Sequence, residues 1–144
     1  MRPRPSTWVW VTVLVSFFCG GPIALVIWAA MAFSEAGKPE PMDCAEAMDW
    51  AHATMPKSAE DQHCTVSSWL DTQVKAEFRM PRGEVAGWLA GTYPGGRIRS
   101  YCPTDLCVDV QEMPPEPGGP AAVNVNVTYE DGGTALVHVM PFTV

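Results

Sequence analysis

The sequence predicts an α+β protein, with one N-terminal transmembrane helix followed by a small extracytoplasmic domain that has an antiparallel sheet and two helices on one side. The first supporting observation is a long, uncharged apolar run over residues 7–33. The second is apolar–polar alternation in the later part of the chain, which is typical of strands with one buried face. The third is that four of the five cysteines follow the apolar run, which suits an exported domain held by disulfides.

Composition excludes several classes of protein. With 144 residues, the chain has room for one small domain beside the apolar run. Sixteen Asp and Glu against nine Lys and Arg give a formal net charge of −7, which argues against nucleic acid as a partner. Hydrophobic residues make up 47% of the chain and charged residues 17%, so we do not expect wholesale disorder.

The apolar run is predicted to be a signal-anchor that crosses the membrane once. A helix over residues 7–33 would be about 40 Å long, which exceeds the ~30 Å hydrocarbon core. Trp8 and Trp28 lie near its two ends, where aromatic side chains favour the membrane interface. Arg2 and Arg4 are the only charges that precede it. The positive-inside rule therefore predicts a cytoplasmic tail over residues 1–6 and a carboxyl-terminal domain outside the cytoplasm.

Three features within the run lead to more specific expectations. The Ala30–Ala32 segment matches a signal-peptidase site, but the run is longer than a typical signal peptide, so we expect the anchor to be retained. Gly20–Pro22 should kink or loosen the helix, because proline lacks an amide donor. Ser16, Gly20 and Ala24 recur at a spacing of four and form a possible helix–helix contact. The alternative is the ordinary small-residue content of a lipid-facing helix.

The polar residues 34–42 are predicted to be a linker, and residues 43–144 the domain. Asp43 can cap a helix that runs from Cys44 to about Thr54. The apolar face of this helix follows helical spacing and comprises Cys44, Ala47, Met48 and Ala51.

Two strands and a second helix are predicted next. Residues 57–61 form a polar loop, and residues 64–70 and 73–80 form strands, of which the second alternates more clearly. Pro81 suits the first position of a helix ending near Thr92. Its buried stripe would be Val85, Trp88, Leu89 and Thr92, while Gly83, Gly87 and Gly91 indicate either close approach of the backbone to the sheet or a frayed helix.

The last third of the chain is predicted to form four strands. Residues 97–102 and 107–111 flank a four-residue hairpin loop, and residues 112–120 form an acidic, Pro-rich extended loop. In the final hairpin, a three-residue loop over 131–133 makes one face uniformly apolar. That register pairs Tyr129 with Ala135, Val127 with Val137 and Val125 with Val139, and it places Asn126 beside His138. The resulting order, α-β-β-α-β-β-β-β, favours an antiparallel sheet.

The four cysteines beyond the apolar run, Cys44, Cys64, Cys102 and Cys107, can pair in three ways. We favour Cys44–Cys64, which ties the first helix to the next strand, and Cys102–Cys107, which closes the four-residue loop. The alternative is a metal site that adds two histidines to Cys44 and Cys64. It is disfavoured because His63 and Cys64 are adjacent in an extended segment, so both cannot easily face one ion.

The sequence carries no recognisable catalytic signature. It has neither a Gly-rich phosphate loop nor a G-x-S-x-G motif. Its three histidines, His52, His63 and His138, match no known arrangement of base and nucleophile. Turn chemistry and a solvated strand face account for Asp105 and Asp109. We therefore predict no catalytic residues, no metal ligands and no cofactor.

Four of the seven cations after the apolar run lie in two predicted strands. With one aromatic residue they form a possible binding patch, which comprises Lys75, Arg79, Arg97, Arg99 and Tyr101, and Trp69 is a further aromatic candidate for it. Such a patch suits an anionic surface polymer, lipid headgroups or an acidic envelope protein. The alternative is that these residues are the solvated faces of two strands.

A resemblance is carried by three segments in a chain rich in Ala, Gly, Pro, Val and Trp: DCAEAMDWAHATMP, HCTVSSWLDTQVKAEFRMP and GWLAGTYP. The chain resembles uncharacterised single-pass membrane proteins of high-GC Gram-positive bacteria. The resemblance covers most of the exported part and implies a cell-membrane location, but no activity and no catalytic residues.

The leading functional hypothesis is a non-enzymatic binding or interaction module of the cell envelope, anchored in the lipid bilayer. Its partner would be an envelope protein or an anionic surface polymer. The alternatives are an envelope-acting enzyme with an unrecognised site and an accessory subunit of a membrane complex. A deep cleft with a histidine beside a carboxylate would favour the enzyme.

Overall fold

The computed structural model of the chain describes residues 5–111 and 119–143. The chain divides into two compact units, Met1–Lys38 and Pro39–Val144, which are described separately. Most of the predicted cytoplasmic tail and of the predicted Pro-rich loop over 112–120 lies outside the described residues.

The amino-terminal unit is helical. Helix α1 (Pro5–Val15) continues through a π-helical turn (Ser16–Gly20) into helix α2 (Gly21–Glu35). The wider turn ends at Gly20, two residues before Pro22, which cannot donate a backbone hydrogen bond, so the predicted loosening lies where expected. Trp8–Ser34 is long and apolar enough to cross a membrane, with a mean hydropathy of 2.1. Ser16, Gly20 and Ala24 are exposed, and the helix–helix contact stays a prediction.

The second unit is built on a seven-stranded sheet in which every neighbouring pair is antiparallel. The strand order is β1-β2-β3-β7-β6-β5-β4. The strands are β1 (Glu40–Pro41), β2 (Glu60–Ser68), β3 (Thr72–Pro81), β4 (Arg97–Ile98), β5 (Leu106–Val110), β6 (Ala122–Tyr129) and β7 (Thr134–Phe142). The predicted α+β class and antiparallel sheet are confirmed.

Helices α3 (Cys44–Trp50) and α4 (Val85–Thr92) pack against one face of this sheet. Met48 of α3 and Val85 of α4 join the alternate residues of the central strands in one core cluster, which includes Phe78, Val125 and Val137. The Trp88 ring meets the Phe78 ring edge-on, with the ring centroids 5.5 Å apart. Full burial of each large apolar side chain contributes about 1.5–3 kcal/mol, so this face determines how the strands pair.

The boundaries of the first elements differ from the prediction. Asp43 caps α3 as expected, since its carboxylate accepts the backbone N–H groups of Ala45 and Glu46. The helix ends at Trp50 rather than near Thr54, because His52 adopts a left-handed backbone conformation (φ +50°). The predicted linker contains β1, and the predicted 57–61 loop overlaps the start of β2. Strand β2 ends at Ser68, so the expectation that it reaches residue 70 was wrong.

Helix α4 begins later than predicted. Pro81 is the last residue of β3, and a 3₁₀ turn over Arg82–Glu84 leads into the helix. Gly83 of the 3₁₀ turn and Gly87 and Gly91 of the helix are exposed, and a Cβ built at any of them meets no atom within 4 Å. The predicted alternative in which these glycines allow the helix backbone to approach the sheet closely is therefore wrong.

The final hairpin has the predicted register. Tyr129 pairs with Ala135, Val127 with Val137, and Asn126 with His138. The three-residue loop ends in Gly132 (φ +84°) and Gly133 (φ +83°), a left-handed conformation that glycine adopts without steric cost.

The predicted hairpin between residues 97 and 111 was wrong in its register. Arg97 pairs with Asp109, and the loop is longer than four residues. The Asp105 carboxylate accepts a hydrogen bond from the Tyr129 N–H at 2.7 Å. This bond holds Asp105 against β6, so the turn lies nearer to the amino terminus than predicted. This register points Val108 and Val110 into the core, whereas the predicted one would place them on the face of Arg97.

Both favoured disulfides are present. Cys44 is bonded to Cys64, with the Cα atoms 5.2 Å apart, and links α3 to β2. Cys102 is bonded to Cys107, with the Cα atoms 5.7 Å apart, and closes the loop between β4 and β5. The chain thus combines a helix that could cross a membrane with disulfides, as membrane and secreted proteins do.

Candidate binding surface

The two faces of the sheet differ in chemistry. One is covered by α3 and α4, and the opposite face of the central strands carries partly exposed polar side chains. Alternation places Lys75, Glu77 and Arg79 of β3 on this open face, next to His138 of β7. The open face and the β4 edge are the surfaces where sequence reasoning placed candidate binding residues.

A row of polar residues crosses the middle of the open face. His63 pairs with Glu77, Glu77 with His138, and His138 with Asn126, so four adjacent strands contribute one residue each. The Glu77 carboxylate lies 3.0 Å from Lys75 Nζ and 3.3 Å from His138 Nδ1. The hydrogen bond from Lys75 is the main reason why the pKa of Glu77 is lowered.

His138 is a histidine beside a carboxylate. Partial burial lowers the pKa of His138, and this effect outweighs the attraction of Glu77, which acts in the opposite direction. The imidazole is therefore neutral near pH 7 and could accept a proton. His138 and Glu77 are partly exposed, and neither lines the depression at the β4 edge or the one beside the β6–β7 turn.

Arg79 is occupied by carboxylates. It donates to Glu130 through Nε at 2.9 Å and through Nη2 at 3.0 Å, and its Nη1 lies 3.4 Å from Asp61. These partners raise the pKa of Arg79, and Arg79 lowers the pKa of Glu130. Its charge is matched within the domain and is poorly suited to attract a ligand.

The β4 edge has different chemistry. Arg97, Ile98, Arg99 and Tyr101 line a shallow depression of about 510 Å³ together with Ser100, Asp109 and Gln111. Ile98 is 73% exposed and Tyr101 is 87% exposed. Arg99 Nε lies 3.1 Å from Asp109 Oδ1, in an ion pair without the direction of a hydrogen bond. Across residues 5–111 and 119–143, no carboxylate pairs with Arg97.

The structure divides the predicted patch into two groups. Lys75 and Arg79 lie on β3, whereas Arg97, Arg99 and Tyr101 lie on or just after β4. Strands β7, β6 and β5 separate the groups, which at about 4.8 Å per strand amounts to about 19 Å. Only the three residues of the β4 edge are brought together.

A second depression, of about 330 Å³, lies beside the β6–β7 turn and is lined by residues that include Ser58, Arg79 and Gly133. Nearby, the Arg82 guanidinium stacks 4.0 Å above the Tyr129 ring. Among the described residues, no group of three or more His, Cys, Asp and Glu could hold a metal ion.

Sequence reasoning considered Trp69 for the binding patch but missed that it lies at the tip of the β2–β3 turn. It placed Trp69 and Leu70 in a strand, but they lie in the turn, where Trp69 is 59% and Leu70 is 87% exposed. The available signal was the loss of alternation after Ser67, followed by two large apolar residues and Asp71.

Comparison with known proteins gives no relationship: no family model, no curated protein and no solved structure matches the chain. Its function must therefore be inferred from its own chemistry.

Proposed function

We propose that this protein is a non-enzymatic binding module, anchored by its N-terminal helix and with its domain outside the cytoplasm. The anchor is supported by the uncharged helix, whose apolar side chains are exposed along its length. The outside location is supported by the two disulfides, which persist in oxidising compartments. Arg2 and Arg4 favour a cytoplasmic amino terminus under the positive-inside rule.

The binding surface that we propose is the β4 edge, defined as Arg97–Tyr101. The observation that carries it is that two large apolar side chains, Ile98 and Tyr101, are exposed beside Arg97 at an edge of the sheet. An edge strand offers unpaired backbone groups to another extended chain. Arginine and tyrosine are among the residues enriched at interfaces. The partner is an envelope protein with an extended acidic segment, which complements the arginines.

An envelope-acting enzyme is the weaker alternative. The His138–Glu77 pair has a base and a carboxylate in contact, but neither residue lines the β4-edge depression or the depression beside the β6–β7 turn, whereas substrate sites are concave. None of the hydrogen bonds described for His138 or Glu77 involves a serine, threonine or cysteine that could act as a nucleophile.

In-cell photocrosslinking tests the proposed surface. A photoreactive amino acid is placed at Ile98 or Tyr101 of the full chain, and at Gln62, an exposed residue of β2, as the matched control. We expect a discrete protein adduct from the two β4-edge positions, and its yield should fall several-fold with Arg97→Glu. Adducts no stronger than those at Gln62 would contradict the proposal. Adducts that carry glycan or phosphate polymer instead of protein would replace the envelope protein with an anionic polymer.

Membrane residence and disulfide formation are tested in the same cells. We expect the chain to stay in the membrane fraction after alkaline extraction, and its four domain cysteines to react with maleimide only after reduction. A chain recovered from the soluble fraction with all thiols reactive would contradict the anchored, extracytoplasmic topology.

A further inference from the structure

The β2–β3 turn presents two large apolar side chains at one end of the sheet. Ser68 and Thr72 form the last pair of the two strands, and Trp69 and Leu70 project beyond them. Solvent-exposed turn tips ordinarily carry small or polar residues. An exposed tryptophan–leucine pair at such a position therefore calls for an apolar or interfacial environment.

The base of this turn is held firmly. The Ser68 and Thr72 hydroxyls lie 3.1 Å apart and share a hydrogen bond. Thr143 also clamps Thr72, accepting its backbone N–H at 2.9 Å and donating its own to the Thr72 carbonyl at 3.0 Å. Three chain segments thus meet below the tip, so its apolar side chains are presented with little loss of conformational entropy.

The tip lies at the end of the sheet where the chain enters the domain. Strand β1 is antiparallel to β2, with Glu40 opposite Val66, so the residues before Glu40 run toward Ser68 and the turn. Only residues 36–39 separate the last residue of α2 from β1, a connection of five Cα–Cα steps and at most about 18 Å. The chain therefore enters the domain at the same end of the sheet as the tip.

We propose that Trp69 and Leu70 insert into the headgroup layer of the bilayer that holds the N-terminal helix, so that the domain docks on the lipid surface. This inference rests on the membrane anchoring proposed above, but it is independent of the β4-edge partner. A lipid surface suits the tip better than a protein does, because one short turn offers far less than the ~800 Å² that each partner of a stable protein complex buries. Tryptophan also favours the interface between water and acyl chains.

The charges around the tip make this docking independent of anionic lipid. Asp71 follows the tip directly, Glu40 lies across from Val66, and Lys38 precedes Glu40 by two residues, so the described residues at this end carry mixed charges rather than a cluster of cations that would attract acidic headgroups. Insertion should therefore be as strong in zwitterionic phosphatidylcholine vesicles as in vesicles that contain phosphatidylglycerol.

Fluorescence quenching by brominated lipid tests the proposal. The full chain, with Cys19→Ala and intact disulfides, is reconstituted into phosphatidylcholine vesicles and labelled with bimane at Leu70→Cys. Matched controls carry the label at Ala121→Cys, at the same end of the sheet, or at Asp131→Cys, in the turn at the opposite end. We expect brominated acyl chains to quench the label at position 70 at least three-fold more than either control label.

Two further measurements decide the outcome. Trp69→Ser in the Leu70→Cys background should lower quenching toward that at position 121, while near-ultraviolet circular dichroism confirms that the domain is folded. Equal quenching at positions 70 and 121 would overturn the proposal. If alkaline extraction releases the unlabelled chain from the vesicles, the anchoring itself fails. If the chain stays and the label at position 70 is not quenched, only this inference fails.

Discussion

The β6–β7 and β4–β5 pairs are both antiparallel, but they are held in place by different forces. In β6–β7, eight residue pairs form one ladder whose core side is apolar throughout, so any slip by one residue would expose buried valines. Strand β4 contributes only two pairs, at the edge of the sheet, and the loop after it is closed by a disulfide. Hydrophobic burial sets the first register, whereas local hydrogen bonds and a covalent link set the second.

A charge introduced into each strand pair should give the largest difference in the free energy of unfolding between them. Val137→Asp places a carboxylate in the fully buried face of β7, where the structure provides no partner for it among the described core residues. We expect a loss of about 4 kcal/mol or more in the free energy of unfolding, enough to unfold a small domain. Ile98→Asp at the exposed β4 edge should change it by less than about 0.5 kcal/mol.

Urea denaturation of the full chain in detergent micelles, followed by near-ultraviolet circular dichroism, measures both variants. If Ile98→Asp destabilised the domain as much as Val137→Asp, the β4 edge would be part of the core and the distinction between the two pairs would be lost.

Removal of each disulfide should give unequal losses. Cys44–Cys64 closes a separation of 20 residues and Cys102–Cys107 a separation of 5 residues. On the chain-entropy relation, the first bridge contributes about 3 kcal/mol and the second about 2 kcal/mol. Replacing each pair by alanine and measuring the free energy of unfolding in urea tests this order. A larger loss from the Cys102–Cys107 pair would show that this loop supports the sheet beyond its effect on the unfolded chain.

Two glycine-to-alanine substitutions, one in the β6–β7 turn and one in α4, should change the stability of the domain in opposite directions. Gly133→Ala forces a side chain into a left-handed conformation (φ +83°) at the β6–β7 turn and should cost about 1 kcal/mol. Gly87→Ala, in the exposed face of α4, should stabilise the domain by up to about 1 kcal/mol. Thermal unfolding should therefore shift in opposite directions, and a lower melting temperature for Gly87→Ala would indicate that the helix backbone is needed close to another surface.

The sequence predicted those features of the fold that depend on residues close together in the chain. The alternating valines and the Asp131–Gly133 loop contain their whole register within one stretch of chain, and that register was right. The contact of Glu77 with His138 was not predictable in this way, because it requires β3 to lie next to β7 rather than next to another strand. The same strand order divides the predicted cationic patch, because three strands lie between Lys75 on β3 and Arg97 on β4.

The smallest expected effect comes from that non-local pair. Burial lowers the pKa of His138 from its ordinary value near 6.5, so the unfolded chain binds a proton more tightly than the folded one. The free energy of unfolding should therefore fall as the pH drops through about 6.5. It should fall again below about 4.5, because Lys75 and Arg79 lower the pKa values of Glu77 and Glu130 in the folded chain, so the unfolded chain takes up protons first.

Two variants separate the contributions to this pH dependence. His138 faces Lys75 and Glu77 on β3 and Asn126 on β6. His138→Gln removes the titrating group and should flatten the fall between pH 7 and pH 5.5. Glu77→Gln removes the attraction that partly offsets burial, so the pKa of His138 should drop further and the fall should steepen. Urea denaturation across this pH range measures both slopes, and a slope for Glu77→Gln equal to that of the unsubstituted chain would mean that His138 does not sense its β3 neighbour.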